Sequence, residues 1–268
     1  MRGEPKTMIA VENVHFTYNG REVLKGVSTT LENEIVALVG PNGSGKTTLA
    51  KHLNGLLKPN RGRVLVDGMD TREHTVAELS RKVGYVFQNP EKMFFEETVF
   101  REVAFGPRNL GLSDDEVEDR VRWALKAVGL EGFEGRTPYS LSGGEKQRLA
   151  IACVLAMKPK YMILDEPTTG LDGRAERMVI ETIVSLREMG HGVLLITHDM
   201  NLVLELADRV VLLFRGKKVF DGKVDDFFKL QLRRYGLEKP ELLRLSEKLG
   251  VGFIRKPEEL VKALEGWG

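Results

Sequence analysis

The stretch GPNGSGKTT, residues 40–48, decides how this chain is read. It fits G-x-x-x-x-G-K-[ST] with Gly40, Gly45, Lys46 and Thr47, and each residue type has a chemical reason to stand there. Glycines let backbone N–H groups converge on a phosphate, and the start of a following helix adds partial positive charge. Lys46 reaches the terminal phosphates, and the Thr47 hydroxyl suits Mg²⁺. The flanks agree. EIVALVG, which leads into the loop, is a continuous apolar run of the kind buried on both faces of a sheet, and a helix is predicted from Lys46 to about Asn54.

Outward from this loop, strands alternate with helices. Residues 9–39 read as strands, and GRVLVDG and VGYVFQ as two more, bounded by glycines. From about Asn89 to Lys158 the pattern turns helical. TVFREVAFG is one candidate helix; SDDEVEDRVRWALKAVGL is a stronger one, with Ser113 as N-cap, Glu116 three residues on and Gly129 near its end. A third helix is expected from about Ser142 to Met157. Strand signals resume with YMILDEP, followed by a helix from about Arg174 to Met189, the strand GVLLITH, a short helix, and RVVLLF paired with KKVFDG. This alternation argues for an α/β core with parallel strands, into which the segment at 89–158 is inserted. After about Val224 the tail reads as short helices, with Pro240 and Pro257 at first-turn N1 positions.

Polar residues fall where the predicted strands end, the edge at which α/β sheets bind ligands. Asp165 and Glu166 close YMILDEP, His198 follows LLIT, and Gln88 closes VGYVFQ. Asp165 suits the outer shell of Mg²⁺, and Glu166 suits orienting or deprotonating a water. Both carboxylates could instead cap the next helix. His198 is placed to contact a γ-phosphate, and Gln88 has both a metal-ligating oxygen and an amide donor. Tyr18 offers a ring for stacking on a nucleotide base, with Phe16 as the competing aromatic. A second glycine turn, LSGGEKQRLA at 141–150, also opens a helix and would attract an anion.

The composition of the 268 residues is that of a globular protein: 42% hydrophobic and 29% charged, with a formal charge of +1 that argues against nucleic-acid binding by bulk charge. The single cysteine, Cys153, excludes an intramolecular disulfide and fits a small buried apolar position in LAIACVLAM. The longest apolar runs are strand-sized, well short of the roughly 18–20 residues that cross a bilayer. MRGEPKTMIA lacks the apolar core of a secretory signal.

In this order the motifs resemble the nucleotide-binding subunit of ATP-binding cassette (ABC) transporters. The phosphate loop is GPNGSGKTT, the Q-loop residue Gln88, the signature LSGGEKQ, the Walker B strand YMILDEP, the D-loop TTGLD and the switch histidine His198, and the likeness covers residues 9 to about 224. It implies a P-loop NTPase cassette of the α/β class over residues 8–224. That cassette would have a RecA-like core, an N-terminal antiparallel β subdomain and a helical subdomain inserted at about 89–158, with a small helical extension at 225–268. It further implies ATP and Mg²⁺ as cofactors, ATP hydrolysis, a stacking Tyr18, and nucleotide contacts from Asn42, Gly43, Ser44, Gly45, Lys46, Thr47 and Thr48. Glu166, His198 and Gln88 would act in catalysis, with Thr47, Gln88 and Asp165 serving the metal. Ser142, Gly143, Gly144, Glu145 and Asp172 would face the nucleotide held by a second ATPase, in a homodimer or heterodimer that sandwiches two ATP molecules. Glu145 stands where many members of the family have Gln.

FQNPEKMFFEETVFREVAFGPRNLGL and the tail YGLEKPELLRLSEKLG are similar to the ATPases of energy-coupling factor importers and related cobalt and nickel importers. That likeness implies an integral membrane coupling subunit, a substrate-binding membrane subunit, no nucleic-acid partner, and a peripheral place on the cytoplasmic face of the cell membrane. Met93, Phe94 and Phe95 are then either core or the lining of a groove that receives a partner helix. Two other classes compete. ABC proteins acting on DNA or ribosomes usually carry paired cassettes or a long coiled coil, and this chain has neither; a P-loop kinase or GTPase would leave LSGGEKQR unexplained.

Overall fold

The computed structural model describes residues 8–265. It opens on a hairpin in which β1 (Ile9–Tyr18) pairs antiparallel with β2 (Arg21–Leu31). β3 (Ile35–Val39) runs through the phosphate loop into α1 (Lys46–Leu53), and β4 (Arg61–Val66), β5 (Met69–Asp70), α2 (Val76–Ser80) and β6 (Val83–Val86) follow. Three helices, α3 (Val99–Asn109), α4 (Asp114–Ala127) and α5 (Gly143–Leu155), precede β7 (Tyr161–Asp165). Then come α6 (Gly173–Glu188), β8 (Gly192–Ile196), α7 (Met200–Leu206), the hairpin β9 (Arg209–Phe214) and β10 (Lys217–Lys223), and α8 (Val224–Phe228), α9 (Glu241–Leu249) and α10 (Pro257–Glu265).

The strands form two sheets. The first has the order β2-β1-β4-β5 and is antiparallel throughout; the second runs β10-β9-β3-β8-β7-β6. In the second sheet β9, β3, β8, β7 and β6 are parallel, and only the edge strand β10 is antiparallel. Its strands β3, β8, β7 and β6 are buried on both faces because both are covered, whereas the edge strand β10 is polar and partly exposed. In β3, Val36 and Leu38 pack with α1 and the first sheet, whereas Ala37 and Val39 pack with α7 and the tail. In β7, Ile163 faces the first sheet and Met162 and Leu164 face α3–α6.

Local chemistry fixes the helix starts. Ser113 accepts from the Glu116 amide while the Glu116 carboxylate accepts from the Ser113 amide, so α4 begins with the expected capping box. One expectation needs amendment at the local level. Pro240 is the N-cap of α9 and not its first helical residue, whereas Pro257 does occupy the first position of α10. β5 and α2, of two and five residues, are too short to show a period, although the start of α2 is marked by the Thr75–Glu78 capping box. The stretch read for a secretory signal lies, through residue 7, outside the described residues.

The tail is packed onto the core. Phe227, Phe228, Leu232, Leu237 and Leu243 share one buried cluster with Met200, Val203 and Leu204 of α7 and with Val39 and Leu212. The Arg255 guanidinium then donates to the carbonyls of Leu204 (2.8 Å), Glu205 (3.3 Å) and Ala207 (2.6 Å), groups that the end of α7 leaves without helical partners.

Candidate nucleotide site

Four neighbouring parallel strands aim their C-terminal ends at one cleft. β3 delivers the phosphate loop, β8 Thr197 and His198, β7 Asp165 and Glu166, and β6 Gln88. Sheet order thus brings together residues far apart in the chain. The cleft, about 1790 Å³, is lined by Tyr18, by every residue from Asn42 to Thr48, and by Gln88, Asp165, Glu166 and His198.

In the loop, Gly43 and Gly45 take left-handed φ values of 74° and 106°, which glycine adopts without penalty. Gly45 is the N-cap of α1, so the unpaired N–H groups of the first turn face the cleft. The Lys46 ammonium, in a residue only 8% exposed, donates to the carbonyls of Gly40 (2.7 Å) and Pro41 (3.2 Å). Burial pulls its pKa below the ordinary lysine value, and Glu166 and Asp165 oppose that shift. These carbonyls hold the charge over the loop, where an anion would meet it.

Asp165 Oδ2 accepts from the Tyr85 hydroxyl at 2.9 Å and from Thr47 Oγ1 at 3.3 Å. Burial pushes the Asp165 carboxyl up, against the pull of these two hydrogen bonds. The Tyr85 hydroxyl is pushed far up by burial and by the Asp165 charge, so it remains a donor. Glu166 has φ 52°, a left-handed conformation uncommon for a residue with a side chain. Such positions cost on the order of 1–3 kcal/mol and cluster at functional sites. Its carboxylate is within 2.9 Å of His198 Nδ1 and accepts from Thr169 Oγ1 at 3.2 Å. The helix-capping alternative falls: α6 is capped by Asp172, whose carboxylate accepts from the Ala175 amide at 2.8 Å. Asp165 and Glu166 are left to the cleft.

Phe16 is buried, edge-on to both His52 and Tyr18 at 4.7 Å, whereas the Tyr18 ring is 43% exposed and lines the cleft. Tyr18 is therefore the aromatic available to a base. Among the described residues no group of three or more His, Cys, Asp or Glu could cage a metal. A hydroxyl, an amide and one buried carboxylate instead suit Mg²⁺, which is commonly held by one or two protein ligands together with phosphate oxygens and waters.

Ser142, Gly143, Gly144, Glu145 and Asp172 do not line this cleft. Ser142 and Glu145 form the capping box of α5, with the Glu145 carboxylate accepting from the Ser142 amide at 2.8 Å, a bond that holds its pKa below the ordinary range. A Cβ on Gly144 would lie 2.5 Å from the Ala175 Cβ, so glycine lets α5 and α6 touch. Ser142 and Gly143 remain exposed at the helix start.

Sequence reasoning did not single out three contributors. Tyr85 supports Asp165 from the adjacent strand, Thr169 supports Glu166, and Gly236–Glu241 of the tail line the cleft wall. Thr169 falls in TTGLD and Gly236–Glu241 in YGLEKPELLRLSEKLG, stretches whose likeness to the family did not assign them to the cleft, and Tyr85 is a polar ring in an otherwise apolar strand.

A second, apolar groove of about 550 Å³ lies beyond β6, lined by Phe87, Met93, Phe95, Phe105, Cys153 and Met157 among others. The Met93–Phe95 alternatives divide. Phe94 is core at 5% exposure, whereas Phe95 is 59% exposed and meets Phe105, 44% exposed, edge-on at 4.7 Å. The buried Glu102 carboxylate accepts from the amides of Phe95 (3.0 Å) and Glu96 (2.8 Å), fixing this loop. Cys153 is half-buried against the core and lines the groove, short of the fully buried position expected, and desolvation pushes its thiol well up, as suits an unreactive cysteine. Among the described residues no helix is long and apolar enough to cross a membrane.

Known proteins are similar to this chain in sequence and fold. Residues 24–169 match the ABC transporter family. A protein of Pyrococcus abyssi, by name an ABC transporter ATP-binding protein, is 60% identical over 258 residues, covering 96% of this chain and 99% of its own length. The energy-coupling factor transporter ATP-binding protein EcfA of Methanothermobacter thermautotrophicus is 43% identical over 248 residues, covering 90% and 80%. The solved structure of CbiO1 from Clostridium perfringens, part of the ABC transporter complex CbiONQ, aligns with a TM-score of 0.79 at 35% identity, over 91% of this chain and all of that one. With the phosphate loop, carboxylates and histidine converging as described, the chain belongs to the ABC transporter family as an ATP-binding, ATP-hydrolysing subunit.

Proposed function

We propose that this ATPase powers an energy-coupling factor importer that carries a vitamin or a transition-metal ion, working as a homodimer or heterodimer against integral membrane subunits at the cytoplasmic face of the membrane. The observation that carries the transport reading is the apolar groove beside Gln88, where the exposed Phe95 and Phe105 rings offer anchors for an amphipathic partner helix. Likeness to EcfA and CbiO1 supports the subtype. The cassette occupies 8–224, with helices inserted at about 89–158 and an extension at 225–268.

In this reading the loop amides of Asn42–Thr48 and the Lys46 ammonium hold the phosphates, and Tyr18 stacks on the base. Thr47 and Gln88 would hold Mg²⁺ with Asp165 behind them, and the ion would supply charge neutralisation along the phosphates. Glu166 orients the attacking water and accepts its proton, while His198 orients Glu166 through Nδ1 and presents the other edge of its ring to the γ-phosphate. Ser142–Glu145 and Asp172 lie outside their own chain's cleft, which supports a two-fold assembly where they meet the partner's nucleotide. ATP then forms part of the interface, and its hydrolysis loosens the pair.

The test is purification of the native complex from membranes, with identification of its subunits and uptake assays in vesicles. Recovery of a membrane coupling subunit together with a small substrate-binding membrane subunit is expected. Recovery with ribosomes or DNA, and no membrane subunit, would overturn the proposal.

A further inference from the structure

We infer that Tyr85 is a positioning residue that holds Asp165 in place and ties it, through Phe87, to the apolar groove. The inference rests on the functional reading above and adds a residue which that reading does not use. Tyr85 and Asp165 sit on paired parallel strands, with Tyr85 opposite Ile163, and the tyrosine reaches forward to donate to Asp165 Oδ2 at 2.9 Å. The same oxygen accepts from Thr47 Oγ1, so one buried carboxylate oxygen is fixed by two hydroxyls. A buried carboxylate keeps a defined orientation only where its oxygens are hydrogen-bonded.

The other end of the link is aromatic. The Tyr85 and Phe87 rings are 4.5 Å apart with planes inclined by 31°. Tyr85 is 6% exposed and Phe87 38%, and both line the groove. Gln88, the next residue, lines the nucleotide cleft. A helix entering the groove therefore presses on Phe87, whose neighbour in the stack carries the hydroxyl on Asp165. A phenylalanine at position 85 would preserve the packing and sever the link.

The full-length protein is titrated with Mn²⁺ in the presence of a non-hydrolysable ATP analogue, with bound Mn²⁺ read by electron paramagnetic resonance. Tyr85→Phe should weaken Mn²⁺ retention by up to about tenfold, the lower end of what losing a hydrogen bond to a metal ligand costs, because Tyr85 acts one contact further out through Asp165, while metal-free analogue binding stays unchanged. Phe87→Leu keeps the hydroxyl and the groove apolar but removes the ring stack, and should shift retention the same way by a smaller factor. Circular-dichroism melting establishes that both variants fold. Unchanged Mn²⁺ retention in Tyr85→Phe overturns the hold on Asp165, and unchanged retention in Phe87→Leu overturns the tie to the groove. A wild-type chain that binds no nucleotide at all would instead overturn the proposed function.

Discussion

His198 Nδ1 lies 2.9 Å from both carboxylate oxygens of Glu166. The pair joins two strand ends, and the glutamate is 12% exposed while the histidine is 63% exposed. One partner is thus fixed in the wall and the other reaches into the cleft. The two side chains act as a unit, so their contributions to rate will not add.

Glu166→Gln keeps shape and removes the charge. Hydrolysis should fall by about 10²–10⁴, the usual contribution of a general base, with ATP affinity retained. His198→Ala should also lower kcat, and the double variant should fall little further than the worse single. Light scattering of Glu166→Gln with ATP should report a dimer. Undiminished turnover would remove Glu166 from its role, and a monomer in saturating ATP would remove the shared interface.

Tyr18 and Phe16 separate stacking from packing. Tyr18→Ala should weaken ATP binding by about 1–3 kcal/mol, as for other bases stacked on aromatic rings, and leave the melting temperature nearly unchanged. Phe16→Ala should cost about 3–5 kcal/mol of stability, because it empties a site against His52. Calorimetric ATP titration and thermal melts of both variants read the contrast; the reverse pattern would assign the base to Phe16.

Adjacent phenylalanines in the groove loop should likewise part company. Phe94→Ala should destabilise the fold by about 3–5 kcal/mol. Phe95→Ala should leave stability within about 0.5 kcal/mol, since its ring is largely in solvent, yet reduce co-purification with membrane subunits. Intact assembly in the second variant would argue against the groove as the docking site.

A pH-dependent prediction arises away from the site. Asp67 accepts from Tyr161 OH (2.8 Å), Lys82 Nζ (3.1 Å) and Lys160 Nζ (3.3 Å). Burial pushes its carboxyl up, but the three donors outweigh that and hold it below the ordinary value of 3.8. A depressed carboxylate contributes stability above its unfolded pKa and loses it as pH falls through the folded one. Asp67→Asn, which tolerates the left-handed backbone there, should lower stability by about 1–3 kcal/mol near neutral pH. Melting curves should show that deficit shrinking once the pH drops below 3.8. A deficit that persists at lower pH would mean the loss is steric.

Much of this was legible in residue order. IVALV reads as a doubly covered strand because every position is apolar, and the Ser113–Glu116 capping box reads directly from its spacing. The phosphate loop, Glu166 and His198 are legible because a strand end places them whatever the sheet order. Partnerships across the sheet are a different matter. That Tyr85 meets Asp165 depends on β6 lying beside β7, and no local pattern encodes which strand neighbours which. The left-handed Glu166 could not be foreseen either, since that conformation is usually signalled by Gly or Asn. That Asp172 serves α6 as its cap, freeing the two preceding carboxylates, needed the helix boundary itself.

The place of β3 has a consequence for how the protein comes into being. Ile35 pairs with Val193 of β8 and Val36 with Arg209 of β9, so both neighbours of this strand are synthesised long after it. On the ribosome the phosphate loop emerges early, attached to an apolar segment that has no sheet to join. Closing contacts of such long sequence separation is slow, and exposed strand edges invite wrong partners in the meantime. The nucleotide pocket is therefore among the last parts to be completed, and a nascent chain carrying the whole GPNGSGKT sequence still has nothing rigid to hold a phosphate against.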